Sequence, residues 1–109
     1  MKLILAIVQE DDANNLLDEL MTAGYRATLI STTGGFLREG NATVLVGVED
    51  GELPGVMRII QATCSARKQY VTPLPPILEP GEFYVPQPVE VQVGGATVFV
   101  LGVEDFRRL

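Results

Sequence analysis

The chain has 109 residues, of which 47% are apolar and 20% are charged, and its formal net charge is −6. This length and composition fit one folded domain, and the acidic balance disfavours a binder of polymeric nucleic acid or of an anionic membrane. The sequence contains no histidine and a single cysteine, Cys64, so it lacks the commonest general base and zinc ligand and cannot form an internal disulfide. We therefore expect a cytoplasmic protein that is not an enzyme and that has no membrane span.

The first half of the chain predicts the order strand, helix, strand, strand. A short apolar run over residues 3–8 indicates a buried strand. Apolar residues at helical spacing cover residues 13–21, between an acidic start that suits the helix dipole and Gly24, a typical residue just beyond a helix end. Residues 25–32 and 41–48 then predict two further strands, whose side chains alternate between the two faces of a sheet.

The second half predicts one more helix and one more strand, separated by a long irregular segment. Apolar residues at helical spacing run from Leu53 to Cys64, with Pro54 suited to the first turn, and residues 90–103 predict a last strand that contains Gly94 and Gly95. The intervening residues 66–89 hold six of the seven prolines, but are too apolar for a solvated linker. The order of elements predicts a single α+β domain with the ferredoxin-like βαββαβ arrangement.

The predicted strands imply self-association. Three of the four strands are apolar on both faces, whereas two helices can cover only one face of the sheet. The other face would expose a larger apolar patch than monomers usually tolerate. We therefore expect a homo-oligomer, of cyclic symmetry, that buries this second face.

Residues in and around the Gly-rich loop 33–40 suggest a pocket for a purine nucleotide. Phe36 could stack on a base or could plug the strand edge, and Arg26, beside Thr28 on one strand face, could bind phosphate or form a surface ion pair. Asn41 offers the donor and acceptor that match adenine, or it could simply end a turn. Gly47 in mid-strand suggests close approach of a ligand or of another backbone.

Other glycines and acidic residues give weaker signals. Gly94 and Gly95 could form a bulge or a second point of close approach. Gly34 and Gly35 fit neither a Walker A loop nor a dinucleotide-binding fingerprint. No combination of nucleophile and base is present, which is why we expect binding without catalysis.

Three stretches of the sequence resemble a known family. They are Tyr-Arg-Ala-Thr at residues 25–28, Thr-Gly-Gly-Phe-Leu-Arg-Glu-Gly-Asn at residues 33–41, and the Gly-Gly-containing segment at residues 88–101. Together they resemble the PII-like cyclic di-AMP receptor proteins, called PstA or DarA, over nearly the whole chain. The sequence differs from the family at Ala42, where threonine is usual, and at Arg108, where a glutamine-like residue is expected.

The resemblance implies a homotrimer of PII-like, ferredoxin-like subunits that binds one cyclic di-AMP in each cleft between subunits and needs no cofactor. It implies that Arg26 and Thr28 lie along the ligand, that the backbone of residues 35–37 meets phosphate or base edges, and that Phe36 and Phe99 pack on adenines. Asn41 and Gly47 would read one adenine. With Gly94 from the sequence pattern, the predicted ligand-binding residues are Arg26, Thr28, Gly35, Phe36, Leu37, Asn41, Gly47, Gly94 and Phe99.

The family resemblance also implies a signalling role, in which ligand binding orders the short loop 33–40 and the long loop 66–89 and so controls a downstream protein. That partner cannot be identified from the sequence. The alternative is a trimer related to PII or CutA proteins that binds another nucleotide or a metal ion, although the absence of histidine argues against a metal site.

Overall fold

The structure, a computed structural model, describes residues 1–30, 40–71, 80–81 and 87–109. The predicted site residues Gly35, Phe36 and Leu37 lie outside the described residues, as do most of the predicted Gly-rich loop and much of the predicted Pro-rich loop.

The elements are β1 (Lys2–Gln9), α1 (Glu10–Thr22), β2 (Ala27–Ile30), β3 (Asn41–Val48), a 3-10 turn (Asp50–Glu52), α2 (Leu53–Cys64), β4 (Arg67–Val71), β5 (Val89–Val93) and β6 (Ala96–Gly102). Four strands form one antiparallel sheet in the order β2-β3-β1-β6, and two helices connect them. This order places β3 between β1 and β2, and β1 between β3 and β6. The predicted α+β class is confirmed, and the strand order is compatible with the predicted ferredoxin-like arrangement.

The hydrophobic core lies between the helices and one face of the sheet. Every second residue of β1 points into it, because successive side chains of a strand alternate between faces. Burying each large apolar side chain there contributes roughly 1.5–3 kcal/mol. The largest fully buried side chains are Ile4, Leu16, Leu20, Val8, Val44, Val46, Val56 and Cys64.

The predicted helices are confirmed, with one difference in the buried stripe of α1. Gly24, at a φ of +91°, follows the last residues of α1 as predicted, and Pro54 lies in the first turn of α2. Met21, predicted in the apolar stripe, is 59% exposed, whereas Asp12 is buried. Residues 12, 16 and 20 are spaced by four, so the buried face of α1 extends back to an aspartate rather than forward to Met21.

The prediction of one strand over residues 90–103 is wrong, because the chain forms two strands in different sheets. β5 ends at Val93 and β6 begins at Ala96. Gly94 and Gly95 between them have φ values of +76° and +98°, which L side chains rarely adopt, and they redirect the chain from one sheet to the other. They are therefore a junction between strands rather than a bulge within one.

The segment predicted as irregular over residues 66–89 begins with a strand. β4 pairs with β5 in an antiparallel two-stranded sheet, from Arg67 opposite Val93 to Val71 opposite Val89. We call β4 and β5 together the hairpin arm. All five residues of β4 are exposed, so the alternation of buried and exposed residues that identifies a strand is missing from its sequence.

Cys64, the last residue of α2, has a fully buried side chain. Burial, together with the neighbouring Asp12 carboxylate, raises the pKa of this thiol from 9.0 to about 11, and the Arg67 guanidinium partly offsets the rise. The thiol is therefore protonated in the folded protein at neutral pH, which makes it a poor nucleophile.

This pKa difference predicts a loss of stability at alkaline pH. An unfolded Cys64 thiol ionises near pH 9 but a folded one only near pH 11, so the unfolded state binds fewer protons in that interval. Its contribution to the free energy of unfolding is complete below pH 9 and falls by roughly 2–3 kcal/mol as the pH rises to about 11. Urea unfolding of the wild type and of Cys64→Ala from pH 8 to 11 measures this contribution. Parallel pH profiles of the free energy of unfolding for the two proteins would contradict the raised pKa of Cys64.

Candidate ligand site on the open face of the sheet

The face of the sheet that the helices leave open carries apolar and small polar side chains in rows. The register places Leu5 of β1 between Leu45 of β3 and Phe99 of β6, with Thr28 of β2 beyond Leu45. Residues that stand opposite each other in antiparallel strands project from the same face, so the predicted alternation is confirmed for Thr28 and Leu45. The strand predicted from residue 25 begins later, so Arg26 directly precedes β2 and does not lie within it. Phe99 is 42% exposed, so its ring surface is only partly covered within the protomer.

One recess on this face brings three predicted ligand residues together. We call it the Arg26 recess; it has a volume of about 350 Å³ and contains Arg26, Thr28 and Gly47. Within the described residues, no salt bridge joins Arg26 to a carboxylate, so the surface ion pair that was its alternative role is not formed there. The remaining lining residues are Met1, Leu3, Leu45, Val103 and Phe106.

Gly47 leaves open space in the Arg26 recess. A Cβ atom built on this residue would meet no other atom within 4 Å, and no left-handed φ requires glycine at this position. The packing of a single protomer therefore does not explain a glycine in mid-strand. The open space is compatible with the close approach of a ligand or another backbone that the sequence predicts there.

A second recess, near the carboxyl end of β1, contains two other predicted residues. We call it the Asn41 recess; it has a volume of about 470 Å³, and Asn41 and Gly94 are among its lining residues. Asn41 pairs with Gln9 across β1 and β3, and the Gly94 N–H donates a 2.8 Å hydrogen bond to Oε1 of Gln9. With Gln92 also in the lining, this recess offers amide donors and acceptors of the kind that read base edges.

The two recesses lie at opposite ends of the same strand. Leu3 lines the Arg26 recess and Gln9 lines the Asn41 recess, so they are six residues apart on β1. A strand rises about 3.3 Å per residue, which separates them by about 20 Å. A single protomer therefore does not bring Arg26, Thr28 and Gly47 together with Asn41 and Gly94, and Phe99 lies opposite Leu5 between the two groups.

Three polar residues near the Asn41 recess were missed from the sequence. Gln9 accepts the hydrogen bond from Gly94, and the buried Asp12 carboxylate accepts hydrogen bonds from Arg67. The guanidinium Nη2 lies 2.9 Å from Oδ1 of Asp12, and this hydrogen bond raises the pKa of Arg67. The spacing of Asp12 to Leu16 and Leu20 was the signal that could have revealed a buried carboxylate.

Neither a metal-binding cluster nor a membrane-spanning helix is found in the described residues. No group of three or more cysteine, aspartate or glutamate side chains in those parts of the chain could hold a metal ion. No helix there is long and apolar enough to cross a membrane.

The strand order and the two recesses define a small α+β binding protein with its candidate site on the open face of the sheet. The sequence profile of the family described as "Cyclic-di-AMP receptor" matches residues 1–109. The chain belongs to the cyclic di-AMP receptor family, which confirms the family predicted from the sequence motifs. This membership supports a role in cyclic di-AMP binding and signalling, and it indicates a receptor rather than a catalyst.

A solved structure gives an independent view of the fold. The chain is similar to a protein of unknown function from Pediococcus pentosaceus ATCC 25745, whose crystal structure superposes with a TM-score of 0.81. The two sequences are 44% identical, and the match covers 99% of this chain and 96% of that protein. The α+β architecture is therefore shared over essentially the full length of both chains.

The geometry at Gly94 predicts that even a small side chain is harmful there. A Cβ atom at this position would lie 2.7 Å from the Ser65 carbonyl oxygen and in contact with Nη1 of Arg67, on a backbone with positive φ. We expect Gly94→Ala to lower the free energy of unfolding by about 1–3 kcal/mol, measured by urea denaturation. Gly51→Ala is the matched control, because a Cβ there meets nothing within 4 Å and no positive φ is involved; equal stabilities of the two variants would show that Gly94 is not crowded.

Proposed function

We propose that this protein is a non-catalytic signal-transduction protein whose cyclic di-AMP sites lie between the subunits of a homotrimer. The observation that carries the proposal is the division of the predicted ligand residues between two recesses at opposite ends of β1. Residues so divided can contact one ligand together when the Arg26 recess of one protomer faces the Asn41 recess of the next. Membership of the cyclic di-AMP receptor family supports the identity of the ligand.

The chemistry of each recess fits one part of a cyclic dinucleotide. The Arg26 guanidinium can form paired hydrogen bonds with phosphate oxygens, and Thr28 adds a hydroxyl beside it. The Asn41 amide can both donate to and accept from adenine, and the open space above Gly47 admits a flat ring. In the proposed site Phe99 and Phe36 pack on the two adenines, while the backbone of Gly35 and Leu37 meets phosphate or base edges.

The uncovered sheet face supports self-association, for which the family resemblance implies a trimer. Phe99 and Leu101 are each more than 40% exposed, and the neighbouring strands present Leu3, Leu5 and Leu45 on the same side. A continuous apolar surface of this kind is typically covered by another protein surface. In this proposal the ligand binds at the edges of that contact, orders the short loop 33–40 and the long loop 66–89, and thereby presents a surface to a downstream protein.

Isothermal titration calorimetry with cyclic di-AMP tests the ligand site. We expect the wild type to bind, and Arg26→Ala, Asn41→Ala and Phe36→Ala each to raise Kd about tenfold or more, because each removes a hydrogen bond or a stacking contact worth about 1–3 kcal/mol. Arg58→Ala is the control, because Arg58 lies on α2 and, among the described residues, its Nε donates to the Pro54 carbonyl of its own helix.

A thermal-shift panel tests the ligand identity at the same time. A ligand that binds only the folded state raises Tm, so cyclic di-AMP is expected to give a larger rise than cyclic di-GMP, ATP or divalent metal ions. A larger rise in Tm with another compound of the panel would show that this compound, and not cyclic di-AMP, is the ligand.

In the calorimetry, an unchanged Kd for cyclic di-AMP in all three site variants would show that the proposed site is wrong.

Size-exclusion chromatography with light scattering tests the assembly. We expect a mass about three times the 11.8 kDa of one chain for the wild type. Leu5→Glu places a charge in the middle of the uncovered face and is expected to give monomers, because a buried unpaired charge is strongly unfavourable. Met21→Glu, on the exposed side of α1, should leave the mass unchanged; a monomeric wild type would exclude sites between subunits.

A further inference from the structure

The junction between β1 and α1, residues 9–12, contacts both segments that border the Asn41 recess. Gln9 accepts a hydrogen bond from Gly94 at the base of the hairpin arm. The backbone N–H of Glu10 donates a 2.7 Å hydrogen bond to the carbonyl of Gly40, the last residue of the predicted Gly-rich loop. Four residues of the chain therefore connect two segments that are more than fifty residues apart in sequence.

On the loop side, the contact is between a helix start and the residue before Asn41. The first N–H groups of a helix have no partner within the helix, and Glu10 uses its N–H to hold the Gly40 carbonyl. Gly40 has a φ of +88°, and it leads directly into Asn41 at the start of β3. The position of Asn41 is thus set by the junction twice, through Gly40 and through its pairing with Gln9.

On the arm side, the junction holds the two strand ends that form the arm's base. Arg67 begins β4 and pairs with Val93, the last residue of β5, and Gly94 follows immediately. The Arg67 guanidinium contacts Oδ1 of Asp12 at 2.9 Å and Oδ2 at 3.4 Å, while the Gly94 N–H contacts Gln9. All residues of β4 are exposed, so these contacts restrain the arm at its base, beside the backbone hydrogen bond that the Gly95 N–H donates to the Cys64 carbonyl.

The ion pair with Asp12 gives this restraint its strength. The Asp12 side chain is only 8% exposed, whereas that of Arg67 is 49% exposed. A buried carboxylate that loses its cation is strongly destabilised, so displacement of the arm is opposed by the cost of leaving Asp12 unpaired. An ion pair within the arm, between Lys68 and Glu90, has both partners well exposed and lacks this property.

We infer that Gln9 and Asp12 are positioning residues that couple occupancy of the Asn41 recess to the order of the hairpin arm; this inference rests on the proposed function. A ligand that contacts Asn41 stabilises the Gly40–Asn41 backbone, and with it the junction that holds Gly94 and Arg67. Linkage is reciprocal, so restraint of the arm also raises ligand affinity.

Hydrogen–deuterium exchange of the full-length protein, with and without cyclic di-AMP, tests the coupling. In the wild type, ligand is expected to slow exchange of the amides in residues 67–71 and 89–93 about tenfold. Gln9→Leu and Arg67→Gln are expected to raise Kd about fivefold to tenfold and to abolish the ligand-dependent protection of the arm. Lys68→Gln is the matched control, because it removes the exposed ion pair of the same strand and should retain both affinity and protection.

Two further variants separate positioning from simple stability. Gln9→Glu keeps an oxygen that accepts from Gly94 and should restore arm protection lost in Gln9→Leu. If Arg67→Gln is too unstable to measure, the double variant Asp12→Asn/Arg67→Gln is used in its place, because it leaves no buried unpaired charge. Unchanged arm protection in Gln9→Leu and in the Arg67→Gln variants, or no protection in a wild type that binds ligand, overturns the inference alone. Absence of ligand binding by the wild type overturns the proposed function and the inference with it.

Discussion

Two helices can cover only one face of a four-stranded sheet, and this geometric limit shapes the rest of the molecule. The covered face holds the core, in which the alternating residues of β1 and β3 pack against α1 and α2. The other face presents Leu5, Leu45 and Phe99 in a row, although apolar surface of that kind is seldom left in water. The same face holds both recesses that contain predicted ligand residues, so the surface available for self-association is also the surface available for a ligand.

The end of β1 is the second organising feature, because the chain passes there from sheet to helix while two distant segments converge on it. Gln9 is the last residue of the strand, and Asp12 lies in the first turn of α1, where a carboxylate also suits the helix dipole. The Gly94–Gly95 junction allows β5 to leave the direction of β6, and both glycines adopt the positive φ that this requires. Among the described residues, polar contacts thus connect the hairpin arm to the body, which suits the change of order that we propose for it.

The elements that could be predicted from the sequence are those whose residues alternate or repeat because one side is buried. β1, β3 and α2 were predicted to within a residue or so for that reason, and α1, which begins at the predicted acidic residues, differed only in Met21. β4 could not be predicted, because all of its residues are exposed and its only pattern is its pairing with β5. The break at Gly94 was hidden by apolar residues on both sides of it, which are typical of one continuous strand.

The candidate site was predictable in part for the same physical reason. Strand alternation grouped Arg26 with Thr28, and the register then placed Gly47 near them in one recess. Most of the length of β1 separates this group from Asn41. That separation depends on how the strands pair, and the pairing cannot be read from the sequence of one strand. Gln9 was overlooked because an amide at the end of an apolar strand is ordinary; its significance depends on Gly94, which is distant in sequence and close in space.

Electrostatics bear on which anionic ligand the proposed site would accept. The protein carries a formal net charge of −6, so its overall field repels anions and only local donors can hold one. In the described residues, the Arg26 recess supplies one guanidinium, and the Asn41 recess supplies amides without a cation. A cyclic dinucleotide spreads single negative charges over two separated diesters and offers two flat bases, whereas a nucleoside triphosphate concentrates several charges at one end. One arginine with a neighbouring hydroxyl can compensate the former but not the latter, so we expect selectivity for a dinucleotide to arise from the scarcity of positive charge as much as from the contacts to adenine.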